Sequence, residues 1–136
     1  MNTAYDLAES AILVSKLLAL TRNGKVEWLK GSQRSSKVDE VITRFHTKLE
    51  DDLEASVWST TKSAGFRVFE KSTETGVLTF TLERDLISVT LDHDEGASRG
   101  EVYVNLISLL ELARRSADKV EPKIDRVKQY LDKLAV

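Results

Sequence analysis

One segment of the sequence matches the pattern of a nucleophilic serine in hydrolases. The residues Gly96 to Gly100 spell G-x-S-x-G, with Ser98 in the place of the nucleophile. In the hydrolases that carry this motif, a histidine base follows the serine along the chain. Here His46 and His93 both precede Ser98. Ser98 and Glu101 also form the S-x-x-E pattern of a capping box, which satisfies free backbone amides at a helix start. We therefore interpret Ser98 as a helix cap and predict no catalytic residue.

The densest group of possible metal ligands lies just before this segment, at Asp92–Glu95. An EF-hand loop aligned on Gly96 would begin at Leu91 and end at Val102, where acidic residues are required. His93 with carboxylates could hold a transition metal, but adjacent residues at a strand end point to alternate faces. We interpret the segment as a solvated acidic loop and predict no metal or other cofactor. A metal-binding or small-ligand-binding domain, or an enzyme, that uses this loop is the first alternative function.

A basic segment, Arg22 to Lys37, contains five basic side chains against one acidic one, with Trp28 among them. Basic grooves with stacking aromatic side chains hold single-stranded nucleic acid. The whole chain, however, has 20 basic and 22 acidic residues and a formal net charge of −2, which disfavours nucleic acid as a partner. Single-strand binding through this segment is the second alternative function. The competing interpretation is a solvated loop with Trp28 in the core.

The composition predicts a single globular domain. The chain has 136 residues, of which 41% are hydrophobic and 31% charged, and this length can bury a sizeable core. Because there is no cysteine, disulfides and thiolate sites are excluded, which fits a reducing cytoplasm. No secretion signal and no membrane span is recognised, so we expect a cytoplasmic protein that does not contact membranes. Within residues 1–136, we expect residues 1–117 to form the core and residues 118–136 an amphipathic extension.

The first third of the chain predicts a helix, a short strand and a loop. Thr3 is placed to cap a helix whose apolar residues, from Tyr5 to Leu20, cover more than one stripe. This predicts a largely buried helix that ends at Asn23-Gly24. Residues 25–29 alternate as a short strand does, and residues 31–37 are polar and predict a loop.

Residues 38–62 fit two structures. Val38, Ile42, Phe45 and Leu49 have helical spacing, while alternation around Phe45 equally fits strands joined through Glu50-Asp51-Asp52. The periodicity does not decide between them.

The next segments predict an antiparallel β-meander of three short strands. These are Phe66–Glu70, Val77–Glu83 and Leu86–Asp92, separated by residues 74–76 and by residues 84–85.

A heptad pattern extends through the C-terminal third of the chain. The apolar residues alternate steps of three and four, at Tyr103, Leu106, Leu110, Ala113, Ala117, Val120, Ile124, Val127, Leu131 and Leu134. The apolar surface is broad as far as Leu112 and narrows to this single seam beyond Ala117. Pro122 either kinks one long helix or occupies the first turn of a separate one.

Two segments of the chain, Leu17 to Trp28 and Leu109 to Ala117 running on to Leu134, resemble small stand-alone bacterial proteins of unknown function. The resemblance implies an N-terminal helix, a β-meander and C-terminal helices, and a bacterial or phage source. It implies no activity and no site residues.

Together these patterns predict an α+β fold. It consists of an N-terminal helix, an antiparallel β-meander and a long or kinked C-terminal helix that packs on one face of the sheet. The narrow apolar seam continues along the chain after the broad apolar surface has ended. This indicates a non-catalytic interaction module that binds itself or a protein partner through the C-terminal helix. An immunity, antitoxin-like or regulatory role suits such a protein. The predicted contact residues are Val120, Ile124, Val127, Leu131 and Leu134.

The charges beside the seam limit how it can be covered. A parallel pair of these helices would place Lys123 opposite Lys128 of the second copy. Antiparallel pairing, capture of a foreign helix, and folding back onto the N-terminal helix all avoid this like-charge contact.

Overall fold

The computed structural model describes residues 4–31 and 42–135, so the predicted Thr3 cap and residues 32–41 of the loop region lie outside it. An N-terminal helix is followed by a five-stranded antiparallel sheet and two C-terminal helices, which confirms the predicted α+β fold. In chain order, the elements are α1 (Ala4–Arg22), β1 (Leu29–Lys30), β2 (Thr43–Lys48), β3 (Leu53–Ser59), β4 (Ser63–Thr75), β5 (Thr79–Asp92), a 3-10 helix (His93–Arg99), α2 (Glu101–Ala117) and α3 (Val120–Leu134).

The sheet follows chain order, from β1 at one edge to β5 at the other, with every neighbouring pair antiparallel. A row of apolar residues crosses it, with Phe45 opposite Val57, Val57 opposite Phe66, and Phe66 opposite Val89. All four are at most 3% exposed. They form one core with buried residues of α1 and α2, namely Val14, Leu17, Leu18, Val102, Leu106, Leu109, Leu110 and Ala113. One face of the sheet is therefore covered by these two helices.

Strands, and not a helix, form where the sequence left both open. In β2, Phe45 and Thr47 are buried while Arg44 and His46 are only partly buried, which is the two-residue period of a strand. The turn at residues 50–52 joins β2 to β3, and the Leu49 amide donates a hydrogen bond of 2.8 Å to the carbonyl of Leu53. Residues 43–48 form a strand because they pair with β3 and because one side of β2 is buried in the core.

The predicted β-meander is confirmed, but residues 66–92 belong to two long strands, β4 and β5, where three short strands were predicted. The strands β4 and β5 have 13 and 14 residues, and Val77 lies in their connection, not in a strand. Arg84 and Asp85, which were predicted to separate two strands, lie inside β5. They are ion-paired across the ladder, Arg84 with Glu70, and Asp85 with Arg67 at 2.8 Å. The two charged residues that suggested a turn in the sequence thus form ion pairs with residues of β4.

The first strand is shorter than predicted. The expected strand over residues 25–29 is reduced to Leu29–Lys30. The Lys25 amide donates to the carbonyl of Leu20 at the end of α1, and the Trp28 amide donates to Ser116 Oγ at 2.9 Å. These two backbone amides therefore donate hydrogen bonds to the end of α1 and to α2, and not to a neighbouring strand.

The expectation that α1 would be largely buried is only partly correct. Its buried apolar residues, Val14, Leu17 and Leu18, lie on the side that contacts the core. Ile12 and Leu20 are 50% and 43% exposed. The apolar residues of α1 that lie outside its core-facing side are therefore in contact with solvent.

The C-terminal segment consists of two helices and not of one long or kinked helix. The break lies at Lys119, whose φ of 53° is left-handed and whose amide donates to the carbonyl of Ser116. Pro122 occupies the first turn of α3, where its missing N–H costs nothing. Residues 121–134 are all exposed, so α3 does not fold back to bury its seam on α1. The change of direction at Lys119 thus leaves the seam of α3 outside the core.

Candidate functional site

One exposed surface is an apolar stripe on α3. We use the name α3 stripe for the five predicted contact residues, Val120, Ile124, Val127, Leu131 and Leu134. Their spacing of three and four residues places them on one side of the helix. Val120 is half-buried near α2, whereas the exposed fraction rises from 39% at Ile124 to 64% at Leu134. Tyr130, which is 62% exposed, flanks the stripe.

A two-pronged ion pair fixes the start of α3. The Arg115 guanidinium on α2 donates to Glu121 through Nε to Oε1 at 2.9 Å and through Nη2 to Oε2 at 2.8 Å. Such a fork holds two groups in one relative orientation, although an exposed ion pair contributes little free energy. One turn earlier, a hydrogen bond from Arg114 lowers the pKa of the exposed carboxyl of Glu111. The helix therefore projects from α2 in a defined direction.

A groove of about 370 Å³ lies at the base of α3. It is bounded by the end of α1, the end of α2 and the start of α3, and its lining includes Thr21, Val26, Leu112, Ser116, Lys119 and Pro122. The Arg115 and Glu121 side chains that border it are engaged with each other. The groove is open and mixed in polarity, and we assign no ligand to it.

The acidic loop is organised by hydrogen bonds of His93. Its Nε2 lies 3.0 Å from the carbonyl of Thr60, which can only accept, so Nε2 carries the proton. In the neutral ring Nδ1 then accepts the hydroxyl proton of Tyr103, at 2.8 Å. Both ring nitrogens are therefore used within the fold. Within the part of the chain that the structure describes, no group of three histidine, aspartate or glutamate side chains is placed to hold a metal ion.

The predicted capping box at Ser98 and Glu101 is wrong. The Ser98 hydroxyl donates to the carbonyl of Glu95 at 2.7 Å, inside the 3-10 helix. Gly100 precedes α2 with a φ of 64° and ψ of −136°, and no side chain caps this helix. Because glycine adopts this backbone conformation readily, it makes the connection between the two helices. Ser98 is thus a residue of the 3-10 helix and does not begin α2.

The aromatic residue of the basic segment is buried. Trp28 is 1% exposed, and its indole Nε1 donates to Thr21 Oγ1 at 3.0 Å. The interpretation that placed Trp28 in the core is therefore confirmed, and its ring is not accessible to a nucleic-acid base. Arg22, Lys25 and Lys30 are exposed, and residues 32–37 of the segment lie outside the described part.

The sheet face opposite α1 and α2 is covered by its own side chains, which the sequence did not indicate. A Cβ at Gly65 would lie 2.0 Å from the Trp58 ring, so this ring lies directly over the glycine. The guanidinium of Arg44 is 6.0 Å from the centroid of Trp58. On the same face, Arg67 lies 3.8 Å from the ring centroid of Phe69, which is 3% exposed. Among residues 4–31 and 42–135, these contacts bury apolar surface on a face that no helix covers.

The far end of the β4–β5 hairpin is a second exposed apolar region that sequence reasoning missed. Every residue from Lys71 to Leu86 is exposed, including the apolar residues Val77, Leu78, Phe80 and Leu82. The strand pattern could not show this, because alternation predicts a two-faced strand regardless of whether a helix covers one face.

Comparisons of the chain with protein-family models, with curated proteins and with solved structures find no significant match. In residues 4–31 and 42–135, no helix is long and apolar enough to cross a membrane.

Proposed function

We propose that the protein is a non-catalytic interaction module that binds another polypeptide, either a second copy or a different protein, through the α3 stripe. The observation that carries this proposal is that residues 121–134 are all exposed although the stripe is apolar. Contiguous apolar surface is costly in water and is typical of protein interfaces. Apolar residues at i, i+3 or i+4, and i+7 of a helix are what a helix-binding partner contacts.

The alternative functions have less support from the described residues. The ring nitrogens of His93 both have hydrogen-bond partners, and the Ser98 hydroxyl serves a local turn. The Trp28 ring is buried, which weakens the argument for single-stranded nucleic acid. We place the protein in the cytoplasm, on the basis of its cysteine-free composition.

A photoreactive amino acid at position 127 tests this function in cells that naturally produce the protein. Val127 is 56% exposed on the stripe, and Val104, which is 61% exposed on α2, is the matched control position. We expect illumination to give a protein adduct from position 127 and none from position 104. Absence of any adduct at position 127, or equal adducts at both positions, would contradict the proposal.

A further inference from the structure

We propose that the occupant of the α3 stripe is the α3 stripe of a second copy, bound antiparallel, with Ile124 of each copy against Val127 of the other. This inference rests on the proposed function and names its partner. In the same register, Val120 of each copy lies against Leu131 of the other. The paired region covers residues 120–131 of both helices, about 16 Å of helix at 1.5 Å per residue.

The charges beside the stripe favour this register. In an antiparallel pair, residues that flank one side of the seam meet their equivalents in the partner. Here Glu121 meets Lys128 of the second copy, and the two-fold symmetry produces this opposite-charge contact twice. On the other side of the seam, Lys123 meets Tyr130 of the second copy, a cation beside an aromatic ring.

The neighbouring registers place like charges together. Shifting one helix by a heptad in one direction sets Glu121 against Glu121 and Lys123 against Lys123. The shift in the other direction sets Lys128 against Lys128. The parallel arrangement sets Lys123 against Lys128 of the second copy. The antiparallel register with Ile124 on Val127 is therefore the one among these four in which the flanking charges attract.

The intramolecular pair at the base of α3 is compatible with this contact. Arg115 engages both oxygens of Glu121 from within the same chain, at 2.8 and 2.9 Å. A carboxylate has about four acceptor sites, so it can also bind Lys128 of the second copy. Arg115 then keeps the carboxylate oriented at the flank of the stripe.

A contact of this size gives a weak dimer. Two helices paired over three turns bury less surface than the roughly 1,200 Å² at which stable complexes begin. We expect the chain to be dimeric at about 100 µM and monomeric at about 1 µM. The ion pairs determine the register and direction of the dimer, and the apolar stripe supplies its affinity.

Charge reversal at position 128 distinguishes the possible arrangements of the full-length chain in sedimentation equilibrium. In the proposed dimer Lys128→Glu faces Glu121, so we expect about a tenfold weaker association. Glu121→Lys together with Arg115→Glu, which keeps an ion pair of opposite polarity at the base of α3, should recover most of the loss. In a parallel dimer Lys128→Glu removes a repulsion and strengthens association, which would overturn the proposal. The matched control is Arg126→Glu, on the side of α3 away from the stripe, and it should change the dissociation constant less than twofold.

Disulfide trapping gives an independent readout, because the natural chain has no cysteine. We expect an equimolar mixture of Val120→Cys and Leu131→Cys chains to form the mixed disulfide on mild oxidation, in preference to either homodimer. In a parallel pair these positions are about 16 Å apart along the helix, too far for a disulfide. A wild-type chain that stays monomeric at 100 µM, with only foreign proteins in the position-127 adducts, would refute the dimer and leave the proposed function intact.

Discussion

Shortening Leu131 to alanine separates the stability of the fold from association. Leu131 is 55% exposed, so Leu131→Ala should change the free energy of unfolding of the monomer by less than about 0.5 kcal/mol. Full burial of a leucine contributes about 1.5–3 kcal/mol, and the exposed half of Leu131 therefore has about 1 kcal/mol to gain in an interface. A symmetric dimer contains this side chain twice, so the variant loses about 2 kcal/mol, or about 30-fold in the dissociation constant.

Two measurements on the same samples test this prediction. Sedimentation equilibrium between about 1 and 500 µM gives the dissociation constant, and thermal unfolding followed by circular dichroism at about 5 µM gives the stability of the monomer. Val104→Ala is the matched control, since Val104 is 61% exposed on α2 and lies outside the stripe. A loss of several degrees in the monomer melting temperature of Leu131→Ala would show that this side chain belongs to the core. An unchanged dissociation constant would refute the role of the stripe in self-association.

Three further predictions concern the fold around the stripe. A chain that ends at Asp118 should keep the melting temperature of the monomer within a few degrees, because residues 121–134 are all exposed; loss of the cooperative transition in circular dichroism would contradict this. Gly65→Ala should destabilise the chain by about 1–3 kcal/mol in urea unfolding, because the new Cβ would lie 2.0 Å from the Trp58 ring. Combining it with Trp58→Ala should remove that clash, so simple additivity of the two costs would argue against it. Tyr103→Phe should cost about 1 kcal/mol in the same assay, because it removes the 2.8 Å partner of His93 Nδ1, and an unchanged stability would show that this hydrogen bond is dispensable.

The parts of the fold that local sequence patterns predicted are those in which the pattern repeats over several turns or strands. Helix α1 ends at Arg22, just before the predicted stop at Asn23-Gly24. Residues 66–70 and 86–92 lie in strands, as expected for a meander. The α+β class follows from these elements, because a single sheet with one apolar face needs helices to cover it.

Predictions were wrong or undecided where a distant partner determines the conformation. Arg84 and Asp85 resemble a turn until Glu70 and Arg67 are placed across the ladder, 14 and 18 residues away. Residues 43–48 and 53–59, for which the periodicity left helix and strand open, form strands because the row from Phe45 to Val89 buries one face of the sheet. Neither pairing can be found from short-range periodicity.

The sequence predicted which residues form the candidate site, but not whether their side chains are exposed to solvent. The spacing from Val120 to Leu134 identified an amphipathic helix, and that helix is present. Its apolar side meets solvent and not α1, and the chain changes direction before it at Lys119, which has a left-handed backbone. Pro122 allowed a separate last helix, but no glycine marks Lys119, so the sequence did not decide between a break and a kink.

The molar mass of the full-length chain at about 100 µM shows whether the α3 stripe joins two copies. We expect a mass close to twice the 15.3 kDa of one chain, and a return to the mass of one chain when Ile124 and Leu131 are both replaced by aspartate. A wild-type mass of 15.3 kDa at this concentration, together with no photo-adduct at Val127, would contradict both self-association and the assignment of the α3 stripe as a binding surface.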